Sequence, residues 1–306
     1  MDSQNKLNLS SSQLNEWIKN AKQRSQQGNL PRYIPQLAHV NSEAFAVCIV
    51  SHDQSIQVVE NRNLTFSLMS VIKPFLLLHL LAKIGTRIVF KWVGVEPSEY
   101  PYNSLAQLTA DGGKPRNPMI NSGAIALANL LTGKTAIERC ETLLNWLNQW
   151  GDCQLFLDES LYQSVTALPN PNNKALAEEL LQSGQILDAE IALETYNLIC
   201  CLSGTVIDLA KLGMLLVQPP ELIGQQPSQI VKALMMTCGL YQASAEFAVK
   251  VGLPTKSGVS GAVLAVIPRQ GAIACYSPPL DAQGNSIGGL SLITDIAEGL
   301  NLSLFA

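Results

Sequence analysis

The chain of 306 residues is poor in the groups that most enzymes and nucleic-acid binders rely on. It has three histidines, His39, His52 and His79, and only 14 % charged and 6 % aromatic residues. Three scattered histidines leave a His-rich metal site or a Ser-His-Asp triad without material. His79 sits inside the apolar stretch FLLLHLLAKI, where a hydrogen-bonded core histidine is the plain reading. The net charge is −4 and no basic stripe is present, which argues against a nucleic-acid partner, because neutralising phosphates takes clustered Lys and Arg. The first strong apolar run, Pro74 to Ala82, is bounded by Lys73 and Lys83 and falls far short of the ~20 residues of a membrane span. The opening MDSQNKLNLSSSQ lacks the basic and apolar regions of a secretory signal. Seven cysteines (48, 140, 153, 200, 201, 238, 275) form an odd set without metal-type spacing, and Cys200 and Cys201 are adjacent. Scattered thiols of this kind suit a reducing compartment, so the expectation is a cytoplasmic protein without metal or membrane association.

What is present is a large apolar fraction, 47 %, enough for an extensive core in one or two domains. Ser11 or Ser12 can cap a helix with Leu14, Trp17, Ile18 and Ala21 on one face, and Gln26–Asn29 reads as a hinge after it. Residues 44–50 and 55–60 read as strands around the polar turn 51–54, and 262–267 and 272–276 as strands around 268–271. Pro74 suits the first turn of a helix. Between about 80 and 245 the pattern is helical, for example 136–150, 174–183, 189–201 and 206–217, and a last helix is expected around 292–304. Strands at both chain ends with helices between predict an α+β fold: one antiparallel sheet built from both ends, flanked by helices, with an inserted helical block. The expected division is an appendage of 1–28, a sheet domain of 29–80 and 201–306, and a helical domain of 81–200.

Three segments carry chemistry. Ser70-Val71-Ile72-Lys73 places a hydroxyl and an amine at i and i+3, within reach of each other on one helix face. At a helix start a developing alkoxide is favoured by unpaired N–H groups, and a lysine enclosed by apolar neighbours can lose its proton and serve as base. Taken alone, Ser70 could as well be a solvated or capping serine. Lys256-Ser257-Gly258, ahead of the strand at 262–267, supplies the second half of a pattern found in serine enzymes of the penicillin-binding type. Lys114–Ala124 (KPRNPMINSGA) forms a stiff loop leading into a helix, where Asn121 reads first as an N-cap.

These segments lie among further landmarks: Tyr33-Ile-Pro-Gln-Leu-Ala38, Val93-Gly-x-Glu-Pro-Ser98, Cys238-Gly-x-Tyr241, Val251-Gly-Leu-Pro-x-Lys-Ser-Gly-Val-x-Gly261 and Tyr276-Ser-Pro-Pro-Leu-Asp281 with Gly284-Asn-Ser286. In this order, from about residue 29 to 306, they resemble the serine-dependent glutaminases with a β-lactamase-like fold. The resemblance implies hydrolysis of L-glutamine to L-glutamate and ammonia without a cofactor or metal, commonly by a homodimer or homotetramer. It implies Ser70 as nucleophile, Lys73 as proton acceptor, Tyr33 and Tyr241 as site tyrosines with Tyr241 relaying a proton to the leaving amine, and the backbone N–H groups of Ser70 and Val259 as oxyanion hole. Asn121, Tyr196 and Asn173, with Asn172 as a second choice, would contact substrate. Without the resemblance, Tyr196 reads as core.

Two positions depart from the family pattern. Met69 stands where a Gln usually precedes the nucleophile, and Val165, in Tyr162-Gln-Ser-Val165, stands where a Glu is expected to hold the substrate ammonium. The loop Thr166–Asn173 that follows is proline-rich and one residue longer. Weakened glutamine affinity is the corresponding expectation. The alternatives are a related amidohydrolase, including one of β-lactamase type, and a non-catalytic binding or regulatory homologue.

Overall fold

The computed structural model describes Leu7, residues 10–168 and residues 170–306; the side chains of Val58 and Val59 are not described. The rest of the N-terminal stretch, with that part of the expected appendage, and Pro169 of the proline-rich loop lie outside the described residues. In chain order the helices are α1 Ser11–Ser25, α2 Pro35–Ala38, α3 Lys73–Ile84, α4 Thr86–Trp92, α5 Leu105–Ala110, α6 Asn121–Ala128 and α7 Ala136–Gly151. They continue as α8 Glu159–Thr166, α9 Pro171–Gln182, α10 Ala189–Cys200, α11 Val206–Val217, α12 Gln225–Cys238, α13 Ser244–Lys250 and α14 Ile287–Leu300. The strands are β1 Ala46–Ser51, β2 Ile56–Glu60, β3 Phe66–Ser67, β4 Phe156–Leu157, β5 Leu202–Gly204, β6 Thr255–Ser257, β7 Ala262–Ile267 and β8 Gly271–Tyr276.

The main sheet has the order β2-β1-β8-β7-β6, every neighbouring pair antiparallel, so the first and last parts of the chain do build one sheet. Its central strands are buried on both faces, and the two-residue period of a strand sorts their side chains. Val47, Ile49, Val263, Ala265, Ile267, Ile273 and Cys275 pack with residues of α1 and α14. Ala46, Cys48, Val50, Leu264, Val266, Ala272 and Ala274 belong to the larger core, which α11 and the other helices complete. A second, three-stranded sheet, β3-β5-β4, pairs the approach to Ser70 with the end of the helical region.

Helix α1 does not stand apart as an appendage. Leu14, Ile18 and Ala21 share a core with the sheet, Arg24 Nη1 reaches Asp295 on α14 at 3.2 Å, and Asn29 pairs with Leu280 across the expected hinge. An amphipathic helix buries its apolar stripe wherever a sheet face lies open to it. Two other boundaries also move. Helix α9 begins at Pro171, not Lys174, because Pro suits its first position and the Asn170 side chain accepts from the Asn173 N–H, so the expected long loop is short. Helix α14 runs over 287–300, not 292–304: Ser286 caps it by accepting from the Gly289 N–H, and Asn301 ends it at φ 52°.

Candidate active site

The polypeptide reaches Ser70 through a strained corner. Phe66 of β3 stacks on Tyr276 of the main sheet at 4.5 Å, and the Leu68 N–H donates to Leu202 O at 2.8 Å. Met69 then adopts φ 45°, a left-handed conformation that costs a non-glycine residue energy and is found at sites where position matters more than stability. Ser70 lies in a 3-10 turn, Met69–Ile72, that runs into α3, so Ser70 precedes the α-helix proper and Lys73 is the first α-helical residue. Ser70 is buried, and Lys73 is 0 % exposed.

No hydrogen bond joins Ser70 to Lys73 among the described residues. Lys73 Nζ instead donates to Met119 O at 3.1 Å and to Asn121 Oδ1 at 2.8 Å. Burial away from water lowers its pKa to about 8, and the interaction with Cys200 opposes that shift. Two donated bonds use both protons of a neutral amine and leave its lone pair to accept a third partner.

Asn121 is not the N-cap of α6. Ile120 occupies that position, and the asparagine side chain turns inward. Its Oδ1 also accepts from Tyr196 Oη at 3.0 Å, and its Nδ2 donates to Asn173 Oδ1 at 2.9 Å. Four residues drawn from α3, α6, α9 and α10 are thereby joined around one carboxamide. The stiff loop ahead of α6 is held from within: Arg116 pairs with Asp111 through two bonds of 2.8 and 3.0 Å, and Asn117 Nδ2 donates to Glu96 O. Gly123 packs against that loop so closely that a Cβ would meet Asn117 O at 1.9 Å. Asn173, the first choice over Asn172, lies buried in this network, and so does Tyr196.

Lys256 lies on β6 at the sheet edge, also 0 % exposed, donating to Ser257 O at 2.5 Å. Burial, then the proximity of Lys73, push its pKa well below the ordinary lysine value. Its Nζ sits 4.4 Å from the centre of the Tyr241 ring, and Tyr102 meets the same ring at 4.7 Å. Tyr241 has φ 57°, and among the described residues its buried hydroxyl has no hydrogen-bond partner. Burial raises its pKa; the nearby Ser70 hydroxyl acts in the opposite sense without reaching hydrogen-bonding geometry. Tyr33 is 54 % exposed as a residue, yet its hydroxyl end is desolvated beside Tyr102 and Tyr241, and its pKa is raised.

The turn after β6 brings Gly258 against the backbone of residues 68–70: a Cβ there would lie 2.8 Å from Leu68 O and 3.4 Å from Ser70 N. The Ser70 and Val259 backbone N–H groups donate to no other group among the hydrogen bonds of the described residues. The motif residues of the two chain ends are thus gathered at one place. Val165 does not share the network. It is half-buried on α8 and packs against the main core, while Tyr162, one turn earlier, donates to Glu194 at 3.3 Å. Tyr102 enters the site although its sequence surroundings carry no motif, and Ser260 enters it from the variable position between Val259 and Gly261; Ser260 Oγ donates to Ser67 O at 2.7 Å. Among the described residues no group of three or more His, Cys, Asp and Glu could hold a metal ion.

Known proteins resemble this chain along most of its length. The sequence model of the Glutaminase family matches residues 28–305. A protein named Glutaminase from Synechocystis sp. is 45 % identical over 292 residues, 95 % of this chain and 89 % of that protein. Another Glutaminase, from Alkaliphilus oremlandii, is 36 % identical over 91 % of this chain and 94 % of its own length. Among solved structures, the probable glutaminase from Bacillus subtilis complexed with 6-diazo-5-oxo-L-norleucine superimposes with a TM-score of 0.87 at 30 % identity, covering 96 % of this chain and 97 % of that one.

Proposed function

The chain belongs to the glutaminase family, and from that premise we propose that it hydrolyses the side-chain amide of L-glutamine through a Ser70 acyl-enzyme with Lys73 as base. It is an amide hydrolase with the α+β architecture of its solved relatives. The observation that carries the assignment of roles is the setting of Lys73: a wholly buried amine, held by two acceptors, one turn along from Ser70.

In the reaction Ser70 Oγ attacks the amide carbon of glutamine while its proton passes to the lone pair of neutral Lys73. The carbonyl oxygen becomes an oxyanion that accepts from the Ser70 and Val259 N–H groups, each donor contributing about 3–4 kcal/mol to the transition state. The C–N bond breaks as the nitrogen takes, by way of Tyr241, the proton that Lys73 had accepted, and leaves as ammonia. Water then attacks the glutamyl ester, Lys73 accepting its proton and passing it to Ser70 Oγ as glutamate departs, so both groups are restored. Asn121, Asn173 and Tyr196 line the approach and hold Lys73 in place. Val165 offers no carboxylate to the substrate ammonium, so weak glutamine binding is part of the proposal.

The expected cytoplasmic placement, supported by seven buried unpaired cysteines, and the homo-oligomeric state belong to the same proposal. Among the described residues no helix is long and apolar enough to cross a membrane. No observation favours the penicillin-type or the non-catalytic alternative. Purified protein supplied with L-glutamine is expected to release ammonia and glutamate, and Ser70→Ala to release neither. Equal release by both proteins, or none by the wild type, overturns the assignment.

A further inference from the structure

The two oxyanion donors come from distant parts of the chain, and one hydroxyl holds those parts together. Val259 sits in the turn between β6 and β7, while Ser70 follows β3. Ser260, next to Val259 and 2 % exposed, donates its hydroxyl proton to Ser67 O at 2.7 Å and accepts from the Ala262 N–H at 3.3 Å. Both functions of the hydroxyl are therefore used in a fixed direction, from Ala262 through Ser260 to Ser67. Among the described residues no other hydrogen bond joins the turn 258–261 to residues 66–70.

Each side of this link is rigid by itself. On one side the Gly258 N–H donates to Ala262 O at 2.8 Å and the Gly261 N–H to Gly258 O at 2.9 Å, closing the turn. On the other, β3 is paired with β5, and Phe66 is stacked on Tyr276. Two stiff pieces need only one well-placed tie to fix their separation, and donors must lie within a few tenths of an ångström of the oxyanion to act on it.

We propose that Ser260 is a positioning residue that sets the spacing between the Ser70 and Val259 N–H groups and so tunes stabilisation of the oxyanion. The proposal rests on the reading of those two groups as the oxyanion hole. Ser260 touches neither substrate nor the reacting atoms; it acts through the backbone.

The test compares Ser260→Ala, Ser260→Thr and Ser70→Ala in ammonia release from L-glutamine, at a temperature below the measured unfolding midpoint of each. An oxyanion forms only in the transition state, so Ser260→Ala is expected to lower kcat roughly tenfold or more while KM stays within about threefold. Ser260→Thr, which keeps the hydroxyl, is expected to hold kcat within about threefold of wild type. A purely structural serine would lower the unfolding midpoint without dividing kcat from KM in this way. Wild-type kcat in Ser260→Ala, a loss confined to KM, or equal losses in the Ala and Thr variants overturns the proposal. Should Ser260→Ala not fold, Ser260→Cys takes its place, with the same reduction in kcat expected from its weaker donor and wild-type kcat overturning the proposal. Activity in Ser70→Ala would instead remove the serine reading itself, so the two failures are told apart.

Discussion

Lys73 and Asn121 are 48 positions apart in the chain and 2.8 Å apart in the fold, and the contact runs from the amine to a neutral oxygen. A carboxylate in that place would hold the lysine protonated; a carboxamide orients it without fixing its charge. Asn121→Asp puts the carboxylate there. The Lys73 pKa then rises above about 8, because an adjacent opposite charge favours the ammonium form. The ascending limb of the pH profile of kcat/KM is expected to move up by about one unit or more, with about a tenfold loss at neutral pH. An unmoved limb contradicts this role for Asn121.

Tyr241 carries a buried hydroxyl with no partner among the described residues, on a residue held at φ 57°. An unsatisfied buried hydroxyl costs about 1–3 kcal/mol, so Tyr241→Phe is expected to unfold at the same temperature as wild type or higher. The same substitution is expected to lower kcat by about 100-fold or more, since leaving-group protonation is lost. Calorimetry and steady-state kinetics on one preparation check both halves, and a variant that is less stable yet fully active refutes them.

Val165→Glu puts a carboxylate on α8 at the position where the family pattern has one. An unpaired, desolvated ammonium costs about 2–5 kcal/mol, so the variant is expected to lower KM for L-glutamine at least about tenfold. A KM that is unchanged or higher shows that Val165 does not bear on the substrate ammonium.

His79 offers a test of stability remote from the chemistry. It is 4 % exposed, its Nδ1 has no partner among the described residues, its ring meets Trp146 edge-on at 4.9 Å, and its pKa is lowered to about 4, first by burial and then by Lys83. Its folded pKa lies below the unfolded value of about 6.5, so in that interval the unfolded chain binds a proton that the folded chain does not. Stability is therefore whole above about pH 6.5 and lost as the pH falls toward about 4, by up to about 3 kcal/mol. Denaturant titrations across that range should show the slope, and His79→Met should flatten it; an equal slope in both proteins contradicts the account.

How far the fold could be read from the chain depended on the length over which a pattern repeats. The β1–β2 and β7–β8 hairpins and α11 announce themselves through five to twelve residues of apolar run or helical spacing around polar turns. β3, β4 and β5 have two or three residues each, too few to show any period, and β3 is the strand that aims Ser70. The site divides in the same way. Ser70, Lys73 and Lys256 lie in short local motifs, and their burial follows from their apolar neighbours. The bond from Lys73 to Asn121, the ring of Tyr102 on Tyr241 and the tie from Ser260 to Ser67 are tertiary contacts between segments, which no local spacing encodes. Among the described residues no direct Ser70–Lys73 hydrogen bond forms; the partners of Lys73 Nζ are Met119 O and Asn121 Oδ1, again residues of another segment.

The claim at the centre is that Lys73 sheds its proton near neutrality and then receives that of Ser70. The pH dependence of kcat/KM for L-glutamine tests it most directly, because that ratio reports ionisations of the free enzyme. The account predicts a rise governed by an apparent pKa of about 8 and absent from Lys73→Met. A profile that is flat from about pH 6 to about pH 9, or an active Lys73→Met enzyme, would contradict it.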